Sequence, residues 1–302
     1  MDDLVLQALS QLVPGGVWRG ELLRGDRAVR WVQAGSGSPV VVCDASLGEP
    51  GSLAWAGIMP AVAARTRIAA YDRAGLGASD PATPLTLDAQ LEDLTAVIRA
   101  AGHGPCVVVG HSWGGLLAQL VALRNPELIA GLVLVDPAEE KYLSALPPED
   151  LEQGIAASDR FLDQHAKGEL AGTVRDIFTD FARELTSDQQ LQDLILDAHV
   201  WCYAQRSQAK TIRDEHRLVI ASLPAISASR ARRALPDVPV VVFSATTGRP
   251  QHERDIWTGY HAALAASVPG GKHIVLADTS HAINQEQPEE IAETITRIIQ
   301  TA

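Results

Sequence analysis

The sequence predicts an α/β fold: a doubly wound, mostly parallel sheet with a helical segment inserted before its last strands. Three observations carry this. Six short apolar runs are continuous rather than alternating, the pattern of parallel strands covered on both faces. Helix-period segments separate most of them, and strand–helix–strand repetition builds a parallel sheet with helices on both faces. One long stretch near the middle carries helical patterns alone.

The elements follow in chain order. The opening "MDDLVLQALSQLV" begins with acids and lacks a basic leader, so it does not read as a secretory signal. "VWRGELLR" and "RAVRWVQAG" read as antiparallel strands joined at Gly25-Asp26. "SPVVVCDA" (Ser38 to Ala45), "RIAAYD" (Arg67 to Asp72), "PCVVVG" (Pro105 to Gly110), "GLVLVD" (Gly131 to Asp136), "VPVVVFSA" (Val238 to Ala245) and "KHIVLAD" (Lys272 to Asp278) read as buried strands. "TLDAQLEDLTAVIRAAG" reads as a helix capped by Thr86 and ended at Gly102, and "GGLLAQLVALRNPE" as the helix of the next crossover. From Tyr142 to Leu235 only helical patterns occur, which divides the chain into a core of residues 1–141 and 236–302 and a helical cap of residues 142–235. An insertion at the carboxyl edge of a parallel sheet tends to cover the site there.

Composition narrows the function. The 302 residues carry a formal net charge of −12, which disfavours tracking a phosphate backbone. The basic run "SRARRAL" around Arg230 to Arg233 reads as a solvated helix face. Cys43, Cys106 and Cys202 are odd in number and widely spaced, arguing against a disulfide framework or a thiolate zinc site. No apolar run approaches the roughly 18 residues that span a bilayer. The expectation is a soluble cytoplasmic protein acting on a small molecule, without nucleic-acid or membrane partners, metal or organic cofactor. The oligomeric state stays open.

"VVVGHSWGG" (Val107 to Gly115) carries the chemistry. Gly110-His111-Ser112-Trp113-Gly114 has G-x-S-x-G spacing between a strand and a helix, where a serine sits on a strained turn and the flanking glycines remove side chains that would collide. The helix N-terminus then sets positive potential beside Ser112, and the Trp113 backbone N–H faces a developing oxyanion. A serine hydroxyl needs a base. Among nine histidines, His281 in "SHAINQEQPEEI" follows the last strand and precedes a helix, on the same sheet edge as Ser112. His111 reads as a packing and hydrogen-bonding residue.

With these motifs and "YDRAGLGASD" (Tyr71 to Asp80), the chain resembles the α/β-hydrolase superfamily over nearly its whole length, apart from the cap and the first dozen residues. The resemblance implies a nucleophile–acid–histidine order, with Ser112 and His281 as the outer members. Matching "CDASLGEPG" to the loop after the third strand makes the Leu47 N–H the second oxyanion donor beside Trp113. The family's usual acid follows the seventh strand, but "VVVFSATTGRPQHERD" offers no carboxylate before Glu253. Asp136, after the sixth strand in "GLVLVDPAEE", is the expected acid, with Asp255, Glu253, Glu139 and Glu140 as alternatives. The implied activity is a serine hydrolase cleaving a small to medium, moderately hydrophobic ester or lactone. Trp113 and one or two of Phe161, Phe178, Phe181, Trp201 and Tyr203 would line the pocket. An aminopeptidase-like amidase, a thioesterase or acyl-transfer cyclase, and a non-hydrolytic binder or template cyclase remain alternatives.

Overall fold

A computed structural model describes residues 3–301. The chain runs through α1 (Asp3–Leu12), β1 (Trp18–Arg24), β2 (Arg27–Ala34), β3 (Val41–Asp44), α2 (Gly51–Ala54), α3 (Met59–Ala63), β4 (Ile68–Asp72), α4 (Leu87–Gly102), β5 (Cys106–His111), α5 (Trp113–Arg124) and β6 (Ile129–Val135). The helices α6 (Glu140–Ala145), α7 (Pro148–Lys167), α8 (Leu170–Leu185), α9 (Gln189–Tyr203) and α10 (Arg206–Arg232) follow without an intervening strand. The chain then returns through β7 (Val240–Ala245), α11 (Gln251–Ala266), β8 (Lys272–Leu276), α12 (Ile283–Glu286) and α13 (Pro288–Ile299).

The eight strands form one sheet in the order β1-β2-β4-β3-β5-β6-β7-β8. β1 pairs antiparallel with β2, and β2 with β4; the other neighbours are parallel. Each continuous apolar run lies in a strand, and β3 to β7 are buried almost throughout because helices cover both faces. The Lys272–Asp278 run departs from the expectation of burial. It forms the edge strand β8, paired only to β7, and Val275 is exposed there.

The capping logic of α4 holds: the Thr86 hydroxyl accepts the Ala89 N–H at 3.1 Å, satisfying an amide that the first helical turn leaves free. At its other end His103, at φ 55°, takes the left-handed position that glycine usually fills.

Two apolar clusters lie on the two faces of the sheet. One joins Val5, Ala8 and Leu9 of α1 to alternate residues of β3, β5 and β6, and to Phe178, Phe181 and Ile195 of the inserted helices. The other joins α4 and α5 to the opposite strand faces and to Val219 and Ile226 of α10. The inserted helices therefore share both cores instead of building a separate one. Cys43, Cys106 and Cys202 are buried free thiols. Among the described residues no helix is long and apolar enough to cross a membrane.

Two of the buried imidazoles have strongly shifted protonation. His199 stacks on Phe178 at 4.0 Å between ring centroids and donates Nδ1–H to Ile195 O at 2.9 Å. His261 donates Nε2–H to Pro137 O at 2.9 Å and accepts the Ser244 hydroxyl at Nδ1. Burial lowers each pKa to about 4. The native state therefore favours the neutral rings. Their contribution is complete above the unfolded value near 6.5 and is lost as pH falls from there towards about 4. The unfolding free energy is expected to fall by about 1.4 kcal/mol per pH unit for each ring in this window. Urea titrations at several pH values check this, with His199→Gln flattening the slope by one proton.

Candidate active site

Chain direction selects the sheet edge. From β3 the chain passes to β4 on one side and then crosses back to β5 on the other. Where windings diverge, the carboxyl ends of the strands open a crevice. The loop after β3 and the turn after β5 meet there.

That turn carries Ser112 at φ 50° and ψ −115°, with its backbone N–H donating to Val135 O at 3.0 Å. The flanking glycines are steric necessities. A Cβ on Gly110 would lie 2.5 Å from Gly114 O, and one on Gly114 would lie 2.5 Å from Ala45 O. The turn can form only because the backbones of β3, β5 and α5 touch directly. The Ser112 hydroxyl has no hydrogen-bond partner among the described residues.

On the next strand end, Asp136 is also held at positive φ, 40°, and is fully buried. His281 donates Nδ1–H to Asp136 Oδ2 at 2.6 Å. Oδ1 accepts the Trp257 indole N–H at 2.6 Å and the Ala245 N–H at 3.0 Å. Burial alone would raise the Asp136 pKa, but the His281 and Trp257 hydrogen bonds and the adjoining imidazoles hold it below the ordinary carboxylate value. An ionised carboxylate on Nδ1–H fixes the tautomer and leaves Nε2 of His281 basic. The His281 side chain is 45% exposed, so that nitrogen can meet a ligand. Its loop is pinned by His111, which donates Nε2–H to His281 O at 2.8 Å, and by Glu286, which accepts from the Ser280 N–H and hydroxyl.

The alternative acids lie in other contacts. Glu253 accepts the Tyr142 hydroxyl, and Asp255 accepts the Gln251 amide on the exposed side of α11. Glu139 and Glu140 both bind Arg230. That pairing corrects the reading of Arg230 as a solvated residue: it is one-fifth exposed and bridges two buried carboxylates. Near the end of β7, Ser244 links His261 and His273 at 2.7 Å each.

In the loop after β3, the Leu47 N–H has no partner among the described residues, while its neighbours' amides are engaged: Ser46 N–H donates to Glu49 Oε2, Gly48 N–H to Glu215 Oε2 and Glu49 N–H to Ser46 O. The Trp113 N–H opens α5 and is likewise without a partner there. The Trp113 side chain does not line the crevice as expected. Its indole is buried in the α4–α5 core and donates to Gln90 Oε1 at 3.0 Å, because the turn sends it back under the helix. Phe178, Phe181 and Tyr203 are buried between the inserted helices.

Three charged residues here have no role that the sequence motifs assign. Glu49 approaches His111 Nδ1 at 3.7 Å, and Arg73 pairs with Asp44 and with Glu215 of α10. Arg73 lies in "YDRAGLGASD", but nothing local marks Glu215 as its partner 142 residues later. Among the described residues no cluster of three or more His, Cys, Asp or Glu side chains could hold a metal ion.

Comparison with known proteins finds similarity to hydrolases. The chain is 31% identical to lipase LipV of Mycobacterium tuberculosis over 236 residues, covering 76% of this chain and 81% of that one. It is 36% identical to the putative carbamate hydrolase RutD of Klebsiella pneumoniae over 104 residues, 33% of this chain and 38% of that one. The epoxide hydrolase VrEH1 of Vigna radiata superposes with a TM-score of 0.72 over 95% of this chain and 99% of its own, a likeness of fold at 18% identity. The sequence pattern of the alpha/beta hydrolase family matches residues 14–294, and with that match over most of its length the chain belongs to this family.

Proposed function

We propose that the protein is a serine hydrolase that cleaves an uncharged carboxylic ester or lactone through an acyl-enzyme. The observation that carries this reading is the 2.6 Å His281–Asp136 pair on the strand end adjoining the strained Ser112 turn. Ser112 attacks the acyl carbonyl while His281 Nε2 takes its proton. The Leu47 and Trp113 N–H groups receive the oxyanion, at about 3–4 kcal/mol of barrier per donor in comparable sites. His281 then protonates the leaving alcohol and activates the water that deacylates Ser112. The helices of residues 142–235 act as the cap over the crevice.

Glu215, a buried cap carboxylate, is not free to hold the ammonium of an amino-terminal amide substrate. It is consumed by Arg73, Gly48 and Gln90, which leaves it no capacity for a substrate ammonium. The acidic chain and buried free thiols support a small-molecule substrate and a reducing, cytoplasmic setting.

Exposure to a fluorophosphonate followed by intact-mass measurement tests the reading. One adduct on the wild type and none on Ser112→Ala is expected. A wild type that stays unlabelled, or a Ser112→Ala variant labelled equally, would remove the hydrolase and leave the binder.

A further inference from the structure

The loop that offers the Leu47 amide is held from outside the core. All five N–H donors of the buried Arg73 are engaged. Nε donates to Glu215 Oε1 at 2.7 Å; Nη1 donates to Asp44 Oδ1 and Ala45 O, each at 2.7 Å; Nη2 donates to Ser46 O at 2.6 Å and Glu215 Oε2 at 2.9 Å. Glu215 Oε2 also accepts the Gly48 N–H at 2.8 Å, and Oε1 accepts Gln90 Nε2 at 2.7 Å. Gln90 in turn holds the Trp113 indole. About two turns earlier on α10, Gln208 donates to Gly48 O and accepts the Gly77 N–H, each at 2.8 Å. Gly48 sits at φ +73° against Ile212 of the same helix.

Peptide geometry turns these bonds into an aim. A trans peptide is planar, with C=O and N–H antiparallel. Pinning Ser46 O to Arg73 therefore directs the Leu47 N–H the opposite way. Fixing Gly48 N–H on Glu215 closes the loop on the other side of that amide. Asp44 alone could neutralise Arg73, but it would not orient the guanidinium plane; the paired bonds to Glu215 do so. Glu215 also reaches the second donor through Gln90 and Trp113.

We propose that Glu215, acting through Arg73, is a positioning residue for the oxyanion site, so that a cap helix completes the catalytic edge of the sheet. This rests on the serine-hydrolase reading above. It assigns α10 a role beyond covering substrate: the core alone would present a mis-aimed Leu47 amide.

The test compares wild type, Glu215→Gln and Ser112→Ala on p-nitrophenyl butyrate, together with binding of an alkyl boronic acid, whose tetrahedral adduct requires both donors. In Glu215→Gln the new amide group faces a donor at Arg73 or Gly48, and the loop is released. The expected result is a loss in kcat of about 100-fold, the scale of one lost oxyanion donor, with KM within about threefold and boronate affinity falling in parallel with kcat. Circular dichroism at the assay temperature verifies the fold. A folded Glu215→Gln whose kcat stays within about threefold of wild type, or whose loss lies wholly in KM, overturns the proposal while leaving the hydrolase reading intact. Turnover undiminished in Ser112→Ala overturns both. If Glu215→Gln does not fold, Gln208→Met removes only neutral bonds, one to Gly48 O of the same loop and one to the Gly77 N–H, and decides instead. About a fivefold loss in kcat at constant KM is expected from it, and no change in either refutes the positioning role.

Discussion

Ser112→Ala is expected to lower kcat on a neutral acyl ester by about 10⁶-fold, with the protein still folded. The turn geometry explains why the change is chemically complete yet structurally small. Ser112 holds its place through its backbone, with its N–H on Val135 O and its C=O accepting from Leu116 and Ala138. The hydroxyl takes no part in that scaffold, so alanine keeps the turn while the nucleophile is gone. Steady-state turnover together with a thermal melt checks both halves. Substantial residual turnover with the same pH profile would mean that another group attacks.

The second large effect concerns the acid. Asp136→Asn is expected to lower kcat by about 10⁴-fold, because an amide in place of Oδ2 can face His281 with a donor and shift its proton from Nδ1 to Nε2, leaving no base for Ser112. Glu253→Gln and Asp255→Asn should stay within about twofold, since both lie in exposed or half-buried contacts away from His281. The pH dependence of stability follows the same contacts. Because the folded pKa of Asp136 is depressed, its stabilisation is present above the unfolded value near 3.9 and is lost as pH falls through the folded value. The difference in unfolding free energy between wild type and Asp136→Asn should therefore narrow at the most acid pH. Near-wild-type turnover of Asp136→Asn would transfer the role to another carboxylate.

The same two residues show how far local patterns reach. Strand order along the chain, the turn around Ser112 and the antiparallel N-terminal pair were legible because each depends on neighbouring residues: continuous apolar runs, glycine spacing, a two-residue turn. The Asp136–His281 pairing follows from the family resemblance together with a shared place on the sheet edge, and the fold brings the two side chains within hydrogen-bond distance. The amphipathic spacing of Val5, Ala8, Leu9 and Val13 likewise marks the face that α1 buries.

What the sequence by itself determined was therefore the sheet, the turn and the edge on which chemistry-bearing residues gather, because periodicity and backbone sterics act over a few residues. Only the tertiary structure decided that the Trp113 indole faces the core, that Arg230 bridges Glu139 and Glu140, that the last strand lies at an exposed edge, and that Glu215 grips Arg73 beneath the Leu47 loop. Those outcomes depend on which surfaces meet after the chain has folded back on itself. Buried charge makes the point most sharply: Arg73, Asp44 and Glu215 are each costly to bury alone and tolerable only together, and no local pattern announces a partner contributed by a distant helix.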